Sequence, residues 1–206
     1  KRQPPHILIM TATPIPRTLA MSVYGDLDMS VIDELPPGRK YINTIHQTHN
    51  QRLKLIDFLK NEIKKGRQAY VVYPLIKESE KLDFKDLMDG YESFSRDFPM
   101  TKYQISIVHG KMKPYDKELE MERFVSGKSQ IMVATTVIEV GVNVPNASLM
   151  VIESAERFGL SQLHQLRGRV GRGDKQGTCI LLFKDGLTKN AIKRIKILKE
   201  SDDGFY

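Results

Sequence analysis

The chain has 206 residues, 32 lysines and arginines against 25 aspartates and glutamates, a net charge of +7, one cysteine and five scattered histidines. That length suits one sizeable α/β domain with a short appendage, and the positive excess permits a polyanionic partner without requiring one. A lone Cys179 excludes an internal disulfide, no Cys/His cluster has zinc spacing, and the apolar run "ILIM" is too short for a signal core or a membrane span, so a cytoplasmic protein without a metal site is expected. The first residue is Lys1 and leads directly into a strand pattern, which reads as a piece of something longer.

Short β-branched runs alternate with helical patterns, the signature of a mostly parallel sheet flanked by helices. Strands are predicted at "HILIMTA", "YINTIHQ", "QAYVVYPLI", "QISIVHG", "QIMVATT", "SLMVIES" and "TCILLFK". Between the second and third, Asn50 is placed to cap a helix whose Leu53, Ile56, Leu59 and Ile63 form a stripe of 3.6 period, stopped by Gly66. Residues 77–103 read as a charged helical insertion, and Lys113-Pro114 starts another helix that runs through Leu119 and Phe124 to Gly127. The Pro/Gly stretch in "DELPPGRKY" marks a joint near residue 38. Three segments follow: 1–37, 38–187 and 188–206. In the last of them "TKNAIKRIKILKE" reads as a packed helix with a solvated basic face, and no site is assigned to it.

"SGKS" at 126–129 has the ending of a phosphate loop, but the glycine such a loop requires would fall at Glu122, inside a helix. The order is also reversed, helix before strand, so Gly127 reads as a helix stop.

"QLHQLRGRVGRG" poses a different problem. Continued as a helix, it puts Gln165, Arg169 and Arg172 on one face and Leu163, Leu166 and Val170 on another. Gly168 and Gly171 would each cost such a helix about 1 kcal/mol against alanine, which points to a close approach by backbone or ligand. Paired guanidinium groups suit phosphate oxygens, through a planar fork of donors. The plainer reading is a solvated basic helix end.

The full pattern "QLRGRVGR" resembles the last signature motif of superfamily 2 helicases and translocases, "TATPIPRT" at 11–18 resembles the motif that ends their first RecA-like lobe, and "ATTVIEVGVNVP" at 134–145 and "HGKM" at 109–112 resemble motifs of the second lobe. Within that superfamily, "TATPIPRTLAMSVYGDLDMSVIDELPPGRK", the stretch from "ATTVIEVGVNVP" to "RGRVGRG" and the closing "DDGFY" resemble the RecG family of bacterial ATP-dependent DNA helicases, which remodel replication forks and branch-migrate Holliday junctions. The transcription-repair coupling factors share "TATPIPRTL" and "QLHQLRGRVGR" and form the alternative, while "YGDLDMSVIDELPPGR" is more similar to the first family.

The resemblance implies a RecA-like lobe with a mostly parallel central sheet: the tail of a first lobe in 1–37, a second lobe in 38–187 and the start of a translocation segment in 188–206. ATP would lie between the lobes, with the phosphate loop and the Mg²⁺-binding acidic motif on the first. Arg169 and Arg172 would be the catalytic arginines, and Gly141, Asn143 and Gln165 would contact ATP. Thr135, Thr136, His109 and Gly110 would touch DNA, and Thr11, Thr13 and Arg17 would couple nucleotide state to DNA grip. The partners implied are branched DNA and ATP, and a monomer is expected.

Each assignment has a plain counterpart in the residues. Thr135 and Thr136 follow "QIMVA" where hydroxyls can reach a DNA phosphate, or simply end the strand; His109 can be structural; "PIP" can be a stiff connector. Asn143 departs from the family, which has Asp there to accept from the ribose hydroxyl; an amide accepts without charge assistance. A DNA-binding module without ATPase activity would explain the charge but not paired arginines beside glycines, and a self-sufficient ATPase would need a phosphate loop that this sequence lacks. The motifs fall at strand ends, so the site is expected beyond the carboxyl edge of the sheet.

Overall fold

A computed structural model of the chain describes residues 8–10, 28, 30, 40–75, 80–135 and 144–184, with the side chains of 80–83 excepted. Thr11, Thr13, Arg17, Thr136, Gly141 and Asn143 lie outside the described residues. So do the segment 188–206 and most of the first predicted strand. The chain divides into two units, Lys1–Pro36 and Pro37–Tyr206, and the description below concerns the second.

Six strands are described: β1 Asn43–Thr48, β2 Gln68–Tyr73, β3 Ile105–Val108, β4 Ile131–Thr135, β5 Ala147–Ile152 and β6 Thr178–Phe183. They form one sheet in the order β1-β6-β5-β2-β4-β3, and every pairing in it is parallel. Parallel neighbours need crossovers, supplied here by α1 Arg52–Lys64, α2 Glu80–Asp97, α3 Pro114–Val125 and α4 Leu160–Arg167. Because helices cover both faces, the interior strands are predominantly apolar, and β2, β4, β5 and β6 are buried at every position. Ala69, Val71 and Tyr73 of β2 pack with α1 and α2, whereas Tyr70 and Val72 pack with Phe124 of α3 and Leu163 and Leu166 of α4.

Three local expectations change. Position 50 falls in a 3-10 turn, His49–Gln51, and the cap of α1 is Gln51, which makes no side-chain cap bond. The buried stripe of α1 is Leu55, Ile56, Leu59, Glu62 and Ile63, while Leu53 is 80% exposed. At 100° per residue Leu53 sits roughly 120° from the centre of that stripe. The supposed insertion at 77–103 is the β2–β3 crossover: α2 and the residue just past it bury Leu87, Phe94 and Phe98 completely, each worth about 1.5–3 kcal/mol. Among its described charges, Lys85, Asp89, Glu92 and Arg96 are exposed.

Gly66 and Gly127 stop α1 and α3 with φ of +79° and +76°, in the left-handed region that glycine adopts without strain. Just beyond Gly127, Ser129 is buried with its hydroxyl 2.8 Å from that of Ser106, so the "SGKS" segment is part of the core.

Candidate functional site

α4 ends at Arg167, with Gly168 as its C-cap at φ −65° and ψ −7°. Leu163, Leu166 and Val170 are buried as the spacing predicts. Gln165, Arg169 and Arg172 do not share a helical face, because the chain has left the helix: the Arg169 and Val170 amides donate to Leu166 and Arg167 carbonyls at 3.0 and 3.4 Å, and Gly171 takes φ +72°. The two glycines are therefore not in a helix interior. Gly171 terminates the turn and lies against Gly177; a Cβ built on it would stand 3.3 Å from the Gly177 Cα and amide nitrogen. A Cβ on Gly173 would stand 2.7 Å from the Pro145 carbonyl oxygen.

Those contacts fix where the arginine loop lies. The Gly177 carbonyl accepts the Asn43 amide at 2.9 Å, the Asp174 carbonyl accepts from Lys40 Nζ at 2.8 Å, and Lys175 Nζ reaches Asn146 Oδ1 at 3.4 Å. Asn43 is the first residue of β1, and residues 40–42, 145–146 and 177 immediately precede β1, β5 and β6, so the loop belongs to the amino edge of the sheet. The expectation that every motif gathers beyond the carboxyl edge is corrected: α4 starts after β5 at the carboxyl edge and, running antiparallel to the strands, delivers its C-terminal end to the opposite one.

Gln165 is half-buried on α4, Arg169 is half-buried, and Arg172 is exposed with Nε donating to the Gly168 carbonyl at 3.3 Å. Burial pushes the Tyr70 phenol up to about 12, and the charges of Arg169 and Arg172 pull it the other way. Both arginine charges thus act on Tyr70, whose buried phenol stays neutral.

At the carboxyl edge, Thr135 ends β4 in register with Tyr73 and is only 2% exposed. Its hydroxyl has no hydrogen-bond partner among the described residues. His109 follows β3 and is half-buried, with Gly110 exposed in the turn beside it. The His109 amide donates to Met112 Sδ at 3.4 Å, and the Lys111 amide donates to His109 Nδ1 at 3.3 Å. Burial, then the Lys111 charge, holds the His109 imidazole below its ordinary value, so it is neutral at pH 7.

A cluster that the sequence reading missed joins α1, α2 and β5 at this same edge. Arg52 Nη1 donates to Glu153 Oε1 at 2.9 Å and Nη2 donates to Ser93 Oγ at 3.1 Å, with the guanidinium 5.1 Å from the Phe94 ring centre. Burial, with Glu153 next in effect, pushes the Tyr73 phenol far up. One signal was available: Glu153 directly follows the apolar run at 149–152, where a buried carboxylate must find a partner.

The family described as "Helicase conserved C-terminal domain" matches residues 50–174. The chain belongs to this helicase C-terminal domain family. It is 51% identical over 205 residues to the ATP-dependent DNA helicase RecG of Bacillus subtilis (strain 168), covering 100% of this chain and 30% of that protein. To RecG of Escherichia coli (strain K12) it is 53% identical over 202 residues, covering 98% of this chain and 29% of that protein. The chain therefore spans about three-tenths of the length of these relatives. Among solved structures, RecG bound to a three-way DNA junction matches with a TM-score of 0.78 at 43% identity, over 94% of this chain and 25% of that one. Dbp5 of S. cerevisiae bound to RNA and ADP BeF3 shares the fold, with a TM-score of 0.58 at 16% identity. The parallel sheet flanked by helices is thus the RecA-like lobe of this helicase domain family.

Proposed function

We propose that this chain is the C-terminal RecA-like lobe of an ATP-dependent DNA helicase that remodels branched DNA, reversing forks and migrating Holliday junctions. The observation that carries the reading is the arginine loop of a lobe similar to that of junction-bound RecG: Arg169 and Arg172 sit on a turn whose glycines pack at the amino edge of the sheet, and both charges act on Tyr70.

ATP is the substrate, held between this lobe and the first, and its hydrolysis supplies the driving energy. Arg169 and Arg172 reach its γ-phosphoryl group and neutralise the charge that spreads over the equatorial oxygens in the transition state. Gln165, Gly141 and Asn143 complete the contacts of this lobe with ATP, Asn143 accepting from the ribose through its amide oxygen. Guanidinium donors fit phosphate oxygens and cannot ligate a cation, so Mg²⁺ is assigned to the first lobe. Thr135, Thr136, His109 and Gly110 form the DNA side at the carboxyl edge, and Thr11, Thr13 and Arg17 couple the two sides.

In the full-length protein, Arg169→Ala and Arg172→Ala are each expected to lower DNA-stimulated phosphate release by about 10³-fold or more while junction binding persists. A loss below about tenfold for both would remove the assigned role.

A further inference from the structure

The link from β5 to α4 crosses the carboxyl edge from one face of the sheet to the other, and it is held on both. Ala155 and Phe158 are each 1% exposed and pack in the core beneath α3 and α4. Glu153 and Arg157 are tied to the helices of the other face: Glu153 pairs with Arg52 of α1, and Arg157 Nη1 donates to Asp86 Oδ2 of α2 at 3.2 Å. Two helical layers are thus fastened to each other around the end of β5.

The backbone between these holds is constrained as well. Ser154 takes φ +49° and ψ +50°, and among the described residues it alone is a non-glycine in the left-handed region. Such a conformation persists where the surroundings dictate it. The Arg157 and Phe158 amides then donate to the Ser154 and Ala155 carbonyls at 2.9 and 3.2 Å, closing a 3-10 turn, Ala155–Arg157, that leads through Gly159 into α4.

The direction set at this corner matters because α4 is a short lever. Its eight residues span about 12 Å, and the arginine loop hangs from the far end. A tilt of about 5° at the start of α4 carries that end by about 1 Å, and a misplacement of about 1 Å can slow a reaction about 100-fold. The side chains of Arg157 and Asp86 are 32% and 45% exposed, so their ion pair contributes little to stability. What it does constrain is the tilt.

We propose that Arg157 and Asp86 are positioning residues for ATP hydrolysis, their ion pair fixing α4 against α2 and thereby placing the arginine loop at the opposite edge of the sheet. The assignment rests on the proposed function: neither residue touches ATP or DNA, and both act through Arg169 and Arg172.

In the full-length protein, DNA-stimulated phosphate release measured against ATP concentration separates this role from a structural one. Arg157→Ala and Asp86→Ala are each expected to lower kcat about tenfold, with the KM for ATP and the affinity for a three-way junction within about twofold of wild type. The melting temperature is expected to fall by no more than about 4 °C, because a surface pair is lost and no charge is stranded in the core. The charge-swapped double variant, Asp86→Arg with Arg157→Asp, is expected to recover most of the lost kcat. If wild type hydrolyses ATP and both single variants keep kcat within about twofold, the pair positions nothing while the helicase reading stands. Loss of junction affinity with kcat preserved would make Arg157 a DNA contact and overturn the assignment, as would a double variant no faster than the singles. If wild type shows no DNA-stimulated hydrolysis at all, the proposed function fails and the positioning role falls with it.

Discussion

Arg52 and Glu153, 101 residues apart in sequence, are joined by a 2.9 Å ion pair that ties the first turn of α1 to the end of β5. Their side chains are 27% and 4% exposed, so the carboxylate is the buried partner. Removing one member of a buried pair costs about 3–5 kcal/mol because the other is left unpaired, and the partial exposure of Arg52 moves the expectation to the low end. Arg52→Ala strands a buried carboxylate and is expected to lower stability by about 3 kcal/mol in urea unfolding, whereas Glu153→Gln, which leaves a half-exposed cation able to reach water, costs less. Equal costs would mean that the pair is governed by packing and not by charge burial.

Gly90 lies in α2, where helix propensity alone favours alanine by about 1 kcal/mol. A Cβ there would overlap the Tyr73 ring and hydroxyl, which are packed beneath the helix and cannot swing into solvent. Gly90→Ala is therefore expected to destabilise the protein by about 1–3 kcal/mol, the usual range for overpacking, and not to stabilise it. A raised melting temperature would show that Tyr73 has another place to go.

Which parts were legible in the sequence follows from the range of the interactions. The apolar runs of β2, β4, β5 and β6 were readable because strands covered on both faces have no polar alternation. Gly66 and Gly127 were readable as stops because each directly follows the last turn of an apolar stripe. The helical period was also present in and just past α2, at Leu87, Phe94 and Phe98, but the surrounding charges disguised a core helix as an insertion. The arginine segment misled for the opposite reason: 165, 169 and 172 have helical spacing, yet Gly171 takes φ +72° to meet Gly177, a contact made only once the sheet has assembled. Likewise nothing near Arg52 in sequence points to Glu153, and nothing near Arg157 points to Asp86.

The Gly171/Gly177 contact sets the position of the arginine loop, so it is expected to control turnover. Gly171→Ala strains a left-handed position and presses a methyl on the Gly177 backbone, a combined cost on the order of 1–3 kcal/mol. In the full-length protein it is expected to lower the kcat for ATP hydrolysis while leaving junction affinity near wild type, because the proposed DNA contacts at His109 and Thr135 lie at the other edge of the sheet. Gly177→Ala, which brings a Cβ 3.0 Å from Gly171 Cα without requiring a left-handed φ, is expected to act in the same direction. Loss of DNA affinity with kcat preserved would place the loop on the wrong side of the lobe.

Cys179 offers a pH-dependent readout of the same core. It is completely buried in β6, and burial pushes its thiol up to about 12, with the nearby Arg167 charge opposing the shift only in part. The thiolate is the nucleophile, so native protein at pH 8 is expected to resist alkylation, and denaturant is expected to expose a thiol of ordinary reactivity. The sign of the linkage follows. Above pH 9 the unfolded chain releases this proton while the folded chain keeps it, so the unfolded state is favoured as pH rises, by up to about 1.4 kcal/mol per unit until the folded value is reached. Cys179→Ala creates a small cavity and lowers stability at every pH, but it removes this slope. Comparing urea midpoints of the two proteins at pH 8 and pH 10 isolates the effect, because the other titrating groups are common to both: the gap between wild type and variant is expected to narrow at the higher pH. A gap that does not change would mean that the thiol titrates alike in the folded and unfolded chains.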